Sequence, residues 1–385
     1  MAEIIKNKEE LTVVGGENEE VTAVPDEKAV SIESSETQQV TEGVEEKEDS
    51  SLNEADDKEE QTIYELLEKD IMSSDLPLKE KNRRLSKLIR MREKKVNILL
   101  VGATGSGKSS TINAMFNMDV AKVGKGVDPE TDRITSYNLS NLTIWDTPGL
   151  GDSISNDERY NVMLTKKLSE TDGDGNLLID LILVILDASS KDLGTSFDLI
   201  NNTIIPCLGD DAADRILIGL NQADVAMKGK HWDIEKNEPD DVLIGFLEKK
   251  VASVQKRIKE ATELDICPIY YCAGYTDDEG NQCKPYNLAK LLYYIIKSIP
   301  AEKRLGIANN INQDREKWQH DDGRQAYTEE IKKDFWDSLT DYIAESAADA
   351  GIVGERILGI PGKFAGFFIG GLFGLGKGIY HGIVD

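Results

Sequence analysis

Lys108 and Ser109 are the first residues in this chain whose placement points to chemistry. They end the run GATGSGKS, in which Gly102, Ala103, Thr104, Gly105, Ser106, Gly107, Lys108 and Ser109 follow the spacing G-x-x-x-x-G-K-[ST]. Glycines at these places let the backbone curl until successive N–H groups face one centre, an arrangement suited to phosphate. A lysine closing such a loop can reach the outer phosphates of a nucleotide, and the hydroxyl after it can ligate Mg2+. The apolar run VNILLVG precedes the loop, and a helical pattern follows through Ser110. A strand and a helix would therefore hold the loop, with the positive end of the helix aimed at the same phosphates.

The loop alone does not choose between adenine and guanine; two later stretches do. WDTPG puts Asp146 at a strand end, where its carboxylate can hold Mg2+ through water, and Gly149 where its N–H can meet a terminal phosphate. NQAD follows the strand-like run RILIGL. Asp224 there can accept from both N1–H and the exocyclic amine of guanine, a donor pair that adenine lacks. Asn221 would tie this loop to the phosphate loop. These residues predict a site for GTP or GDP with Mg2+, in which Lys108 and Gly149 act on the reacting phosphate and Ser109 and Asp146 serve the metal.

The elements that must position these residues are legible as alternation. VNILLVG, NLTIWD, LIDLILVILD, DRILIGLN and ICPIYYC read as buried strands separated by helical stretches. This predicts an α/β fold, a doubly wound and mostly parallel sheet, over residues 96–300. The helix in PYNLAKLLYYIIKSIP would close that domain, with Pro300 past its end. Residues 1–60 carry 20 acidic and 5 basic side chains without periodicity, and are expected to form a disordered acidic tail. Residues 61–95 are expected to be a basic amphipathic helical lead-in, with Leu85, Leu88, Ile89 and Met91 on one side. Such a helix either packs its apolar stripe on the next domain or lies on an anionic membrane. Residues 301–350 read as a polar helical extension.

The motifs together resemble the G motifs of the Era-like, 50S ribosome-binding type of P-loop GTPase. The stretches VGATGSGKSSTINAMF, KVGKGVDPETDRITSYNL, WDTPGLGD, NQADVAMKGKHWD and PYNLAKLLYYIIK are similar to the YfjP/YkfA-type GTPases. The resemblance covers about residues 96–300 and implies a P-loop NTPase G domain that converts GTP to GDP and phosphate. It implies a threonine that joins the Mg2+ shell when GTP is bound; Thr131 is preferred over Thr135. It also implies a base-contacting loop at Cys272, Ala273 and Gly274, in which the Ala273 N–H would bond guanine O6. Two departures stand out. Gln222 occupies the place of a lysine whose stem covers the base, and is expected to stack there less tightly. Leu150 stands where many GTPases carry a glutamine that orients the attacking water. Gly105 replaces the asparagine of potassium-activated relatives. The expectation is a slow GTPase, a switch first and an enzyme second, raised by dimerisation or a partner.

Beyond that domain, residues 351–385 place Gly362, Gly366, Gly370, Gly374, Gly378 and Gly382 at four-residue intervals, among Phe364, Phe367, Phe368, Ile369, Leu372 and Phe373. On a helix these glycines form one smooth stripe. Insertion at a membrane surface and packing against protein both remain open readings. The 13 uncharged residues between Lys363 and Lys377 are too few for a span, which needs about 20. With a net charge of −26, a ribosome or RNA partner is disfavoured. The expected setting is cytoplasmic, peripheral at the inner face of the membrane. Cys207, Cys267, Cys272 and Cys283 lack metal-ligand spacing, and His231, His320 and His381 are scattered. Asp187 and Trp145 read as structural.

Overall fold

The structure is a computed structural model that describes residues 63–116, 134–150, 154–276 and 282–343. The acidic segment, Thr131 and the glycine-rich end lie outside the described residues.

Six strands form one sheet in the order β2-β3-β1-β4-β5-β6: β1 (Val96–Gly102), β2 (Thr135–Asn138), β3 (Leu142–Asp146), β4 (Leu181–Asp187), β5 (Ile216–Asn221) and β6 (Ile269–Tyr270). All pairs are parallel except β2 with β3, which are antiparallel at one edge. The α-helices of six residues or more are α1 (Ile63–Ser73), α2 (Leu78–Glu93), α3 (Lys108–Met115), α4 (Ile154–Leu168), α5 (Gly194–Leu199), α6 (Asp241–Thr262), α7 (Leu288–Ser298) and α8 (Tyr327–Ile343). A π-helical stretch, Ile200–Ile204, continues α5.

The strands read as unbroken apolar runs because both faces of the sheet are covered. On β1, Val96, Ile98 and Leu100 belong to one buried cluster, and Leu99 and Val101 to the other. β4 divides in the same way, with Leu181, Leu183 and Ile185 against Ile182, Val184 and Leu186. The first cluster also takes in Ile63, Leu67 and Ile71 of α1, Leu88 and Met91 of α2, and Ile331, Phe335 and Leu339 of α8. The residues on either side of 96–300 thus share the core of the sheet.

The lead-in is two helices rather than one. Pro77 stands between them at φ −56° and ψ 144°, an extended conformation with no N–H to continue a helix. Of the four residues predicted for the apolar stripe of α2, Leu88 and Met91 are buried and Leu85 packs partly against the core. Ile89 is instead 54% exposed, and the buried Arg84 takes part in the inward face. The predicted α7 forms as expected, with Pro300 just beyond it. The extension after residue 300 is less helical than its composition suggests, since α8 begins only at Tyr327.

Part of that irregular stretch is fixed by Asn312. Its N–H donates to the Met115 carbonyl at 2.9 Å, and its Nδ2 reaches the carbonyls of Asn113 at 3.2 Å and Phe116 at 3.5 Å. Asn312 therefore satisfies the C-terminal carbonyls of α3, which the helix itself leaves open.

Candidate functional site

β1 is the central strand, flanked by β3 and β4, so the loop after its C-terminal end lies where the connections diverge to the two sides. In open α/β sheets this is where ligands bind. The predicted residues of the site arrive from the ends of β1, β3 and β5 and from the loop after β6.

Within the phosphate loop, Gly107 sits at φ 90° immediately before α3. A side chain there would be strained, and its Cβ would strike the Asn221 amide. Lys108 is 9% exposed and folds back on the loop, donating to the carbonyls of Gly102 at 3.0 Å and Ala103 at 3.3 Å. The Ser106 hydroxyl is buried, with no hydrogen-bond partner among the described residues. Ser109 and Ser110 follow in the first turn of α3.

The NQAD stretch is tethered to this loop twice. Asn221 Nδ2 donates to the Ser106 carbonyl at 2.9 Å, the tie that its position predicts. Gln222, at φ 63°, extends its amide to the Gly105 carbonyl at 2.7 Å. The end of this side chain, expected to stack on the base, is anchored on the phosphate loop. Asn221 also accepts the Ala273 N–H through Oδ1 at 3.0 Å, so the amide expected to meet guanine O6 has an internal partner here.

Asp224 is held by Cys272. The thiol donates to Asp224 Oδ1 at 3.2 Å, and the Asp224 N–H points back at the sulfur at 3.3 Å. Burial, followed by the nearby Asp224 charge, pushes the Cys272 thiol well above its ordinary range, so it serves as a neutral donor. The sequence offered Cys272 only as a position in a base-contacting loop; its grip on Asp224 becomes visible once the strand ends meet. Tyr271 was missed altogether. Its hydroxyl shares a 2.7 Å hydrogen bond with Thr111, which in turn donates to the Gly107 carbonyl at 2.8 Å. In the sequence Tyr271 is one more residue of the buried run ICPIYYC.

Asp146 ends β3 beside this group, 7% exposed. Burial raises its carboxyl to about 6, against the opposing pull of Lys108. Its Oδ1 has no hydrogen-bond partner among the described residues. A buried carboxylate oxygen left without a partner is a hard oxygen donor, which fits Mg2+. Thr135, the alternative to Thr131, faces Asp146 in the β2–β3 register. Past Asp146, the Thr147 hydroxyl donates to the Leu100 carbonyl at 2.8 Å. Gly149 lies so close to Thr104 that an added Cβ would come within 2.6 Å of its Cα. Asp187 caps its own turn at the Ser189 N–H at 2.6 Å. Trp145 donates to Asn97 at 3.1 Å under the Lys167 ammonium, so both are structural.

Comparison with known proteins agrees with this geometry. Residues 97–222 match the family model described as 50S ribosome-binding GTPase. The chain is 29% identical over 157 residues to the uncharacterised protein YfjP of Escherichia coli K12, a match covering 40% of this chain and 50% of YfjP. It is 36% identical over 81 residues to human Septin-12, covering 18% of this chain and 22% of the septin. The chain thus spans half or less of the length of the curated relatives it matches. Among solved structures, Toc33 of Arabidopsis thaliana in complex with Mg2+ and GMPPNP aligns over 63% of this chain and 98% of its own, at 15% identity and a TM-score of 0.37. No helix among the described residues is long and apolar enough to cross a membrane. Its sheet order and phosphate loop give the chain a P-loop GTPase fold, in which residues 97–222 are similar to the 50S ribosome-binding GTPase family and to YfjP.

Proposed function

We propose that the chain is a guanine-nucleotide switch that hydrolyses GTP slowly to GDP and phosphate. The observation that carries this reading is the convergence on one loop of Asn221, bonded to Ser106, and Gln222, bonded to Gly105, beside the buried Asp146 carboxylate. The amides of residues 102–110 and the Lys108 ammonium hold the phosphates. Ser109, Asp146 and Thr131 would hold Mg2+, which would screen the charge that develops on the phosphates. Asp224, backed by Cys272, takes the guanine edge, and Ala273 adds its N–H as Asn221 releases it. Lys108 and the Gly149 N–H stabilise the transferring phosphate.

Leu150 brings no group that can orient water, which supports a low intrinsic rate and activation by dimerisation or a partner. We place this switch in the cytoplasm, with the glycine-rich residues 351–385 as its contact with the inner face of a membrane. The acidic charge of −26 speaks against the ribosome contact that the family description names.

Single-turnover GTP hydrolysis at rising protein concentration tests the reading, beside Lys108→Ala. A rate that climbs with concentration and vanishes in Lys108→Ala supports a slow, assembly-assisted GTPase. GTP left intact at every concentration, in protein that binds it tightly, would remove the hydrolytic part.

A further inference from the structure

Residues 79–95 hold nine basic and two acidic side chains in a chain whose net charge is −26. α2, which carries most of them, turns Arg84, Leu88 and Met91 inward, where all three are buried. Two lines of side chains remain on its outer face. Leu78 and Ile89, three helical turns apart, are 71% and 54% exposed. Lys79 and Arg90, each the next residue along, form an exposed line beside them, and Arg92 and Lys95 are exposed toward the end of the helix. Met72, 54% exposed at the end of α1, is held near this face by Lys81, whose Nζ donates to the Met72 carbonyl at 2.7 Å. The acidic side chains nearby are partly committed. Glu80 pairs with Arg83 and Arg84, and Glu302 with Lys94, while Glu93 is exposed on the same face and Asp75 is exposed in the connection between Met72 and Leu78.

We propose that this face of α2 docks on a membrane surface containing anionic lipid. Lys79, Arg90, Arg92 and Lys95 meet the lipid phosphates, and Leu78, Ile89 and Met72 enter the headgroup layer. Physiological salt screens charges farther than about 8 Å from the contact. Each basic residue near an anionic leaflet strengthens binding roughly five-fold. A nucleic-acid partner would use the same charges but would leave the exposed Leu78 and Ile89 without a role. α2 also has no aromatic side chain on which a base could stack. On its inward side α2 packs against α8, which holds the helix on the domain.

The test is cosedimentation of the full chain with phosphatidylcholine vesicles, with and without phosphatidylglycerol, across a salt series. Thermal unfolding and GTP binding of each variant verify that the fold is intact. Binding that needs phosphatidylglycerol and weakens with salt is expected. Lys79→Glu combined with Arg90→Glu lowers partition by about thirty-fold or more. Leu78→Ser combined with Ile89→Ser lowers it by about ten-fold and keeps the salt dependence. Equal binding to vesicles lacking phosphatidylglycerol would overturn the proposal. So would unchanged partition after charge reversal, which would assign the membrane contact to the glycine-rich end. Charge-dependent binding indifferent to the Leu78 and Ile89 changes would also overturn it, and would mark the face as a general polyanion surface such as RNA.

Discussion

Leu150 is paired with the phosphate loop through its main chain: its N–H donates to the Gly102 carbonyl at 3.3 Å, and its carbonyl accepts the Thr104 N–H at 3.2 Å. The stretch after Asp146 thus runs as a short parallel continuation of the β1–β3 pairing, with Ala103 bridged to Leu150. The side chain points into the core, 4% exposed, in the cluster that contains Tyr160 and Leu164. The residue that cannot orient a water is therefore also a packing residue.

A first consequence concerns Leu150→Gln, the change that would put a water-orienting side chain at this place. A glutamine there buries an amide in an apolar cluster, at a cost of about 1–3 kcal/mol in stability. Denaturant unfolding should show that loss, and single-turnover hydrolysis should not accelerate. A ten-fold faster rate at unchanged stability would mean that the side chain leaves the core during the reaction.

Gly149→Ala tests the close approach of this segment to Thr104. The added methyl meets the Thr104 backbone, so the segment must lift from the loop. GDP binding is expected to stay within a few-fold of wild type while GTP hydrolysis falls at least ten-fold. Fluorescent-nucleotide titration and product quantification separate the two effects.

The Cys272 thiol orients Asp224, and its substitutions grade that role. Cys272→Ser keeps a donor and should retain guanine affinity. Cys272→Ala removes the donor and should weaken GTP and GDP binding by roughly five- to ten-fold, in line with about 1 kcal/mol for a hydrogen bond from a weakly donating thiol. Competition by inosine nucleotides reads the same loss, because inosine lacks the exocyclic amine that Asp224 is placed to accept.

Asp146 gives the site a pH dependence of known sign. Its carboxyl is raised by burial from 3.8 to about 6, so the ligand-free protein is stabilised by its protonated form below pH 4. That contribution is lost as pH rises through 6. At pH 7 the buried charge is a burden that Asp146→Asn removes, raising the melting temperature of the nucleotide-free chain. Mg2+ needs the ionised form, so Mg2+-dependent nucleotide affinity should fall between pH 7 and pH 5 in the wild type. In Asp146→Asn that pH dependence should be flat; a slope equal to wild type would place the titrating group elsewhere.

What could be read in the sequence was what local spacing determines. The phosphate loop, Asp146 with Gly149, and Asn221 with Asp224 sit on loops whose chemistry depends on neighbours a few residues away. The strand runs were legible because a sheet covered on both faces needs continuous apolar residues. Contacts made by the main chain carry no residue signature, which is why the pairing of Leu150 with Gly102 and Thr104 was invisible. The bond from the Gln222 amide to Gly105 was not legible, because nothing in NQAD shows that Gly105 lies within its reach. Ile89 was placed on the apolar stripe of α2 and is exposed instead, because which face of that helix turns inward depends on its packing against the domain. The capping of α3 by Asn312 has no local signature, because its partners lie about 200 residues away.

The central claim is that this loop and NQAD together select a guanine nucleotide. The most direct measurement is displacement of a fluorescent GDP by unlabelled GTP and ATP in the presence of Mg2+, for the wild type, Lys108→Ala and Asp224→Ala. The account predicts that GTP displaces the probe while ATP in hundred-fold excess does not. It also predicts that Lys108→Ala weakens binding of every nucleotide, and that Asp224→Ala loses the preference for guanine. Equal displacement by ATP, or an unchanged preference in Asp224→Ala, would contradict it.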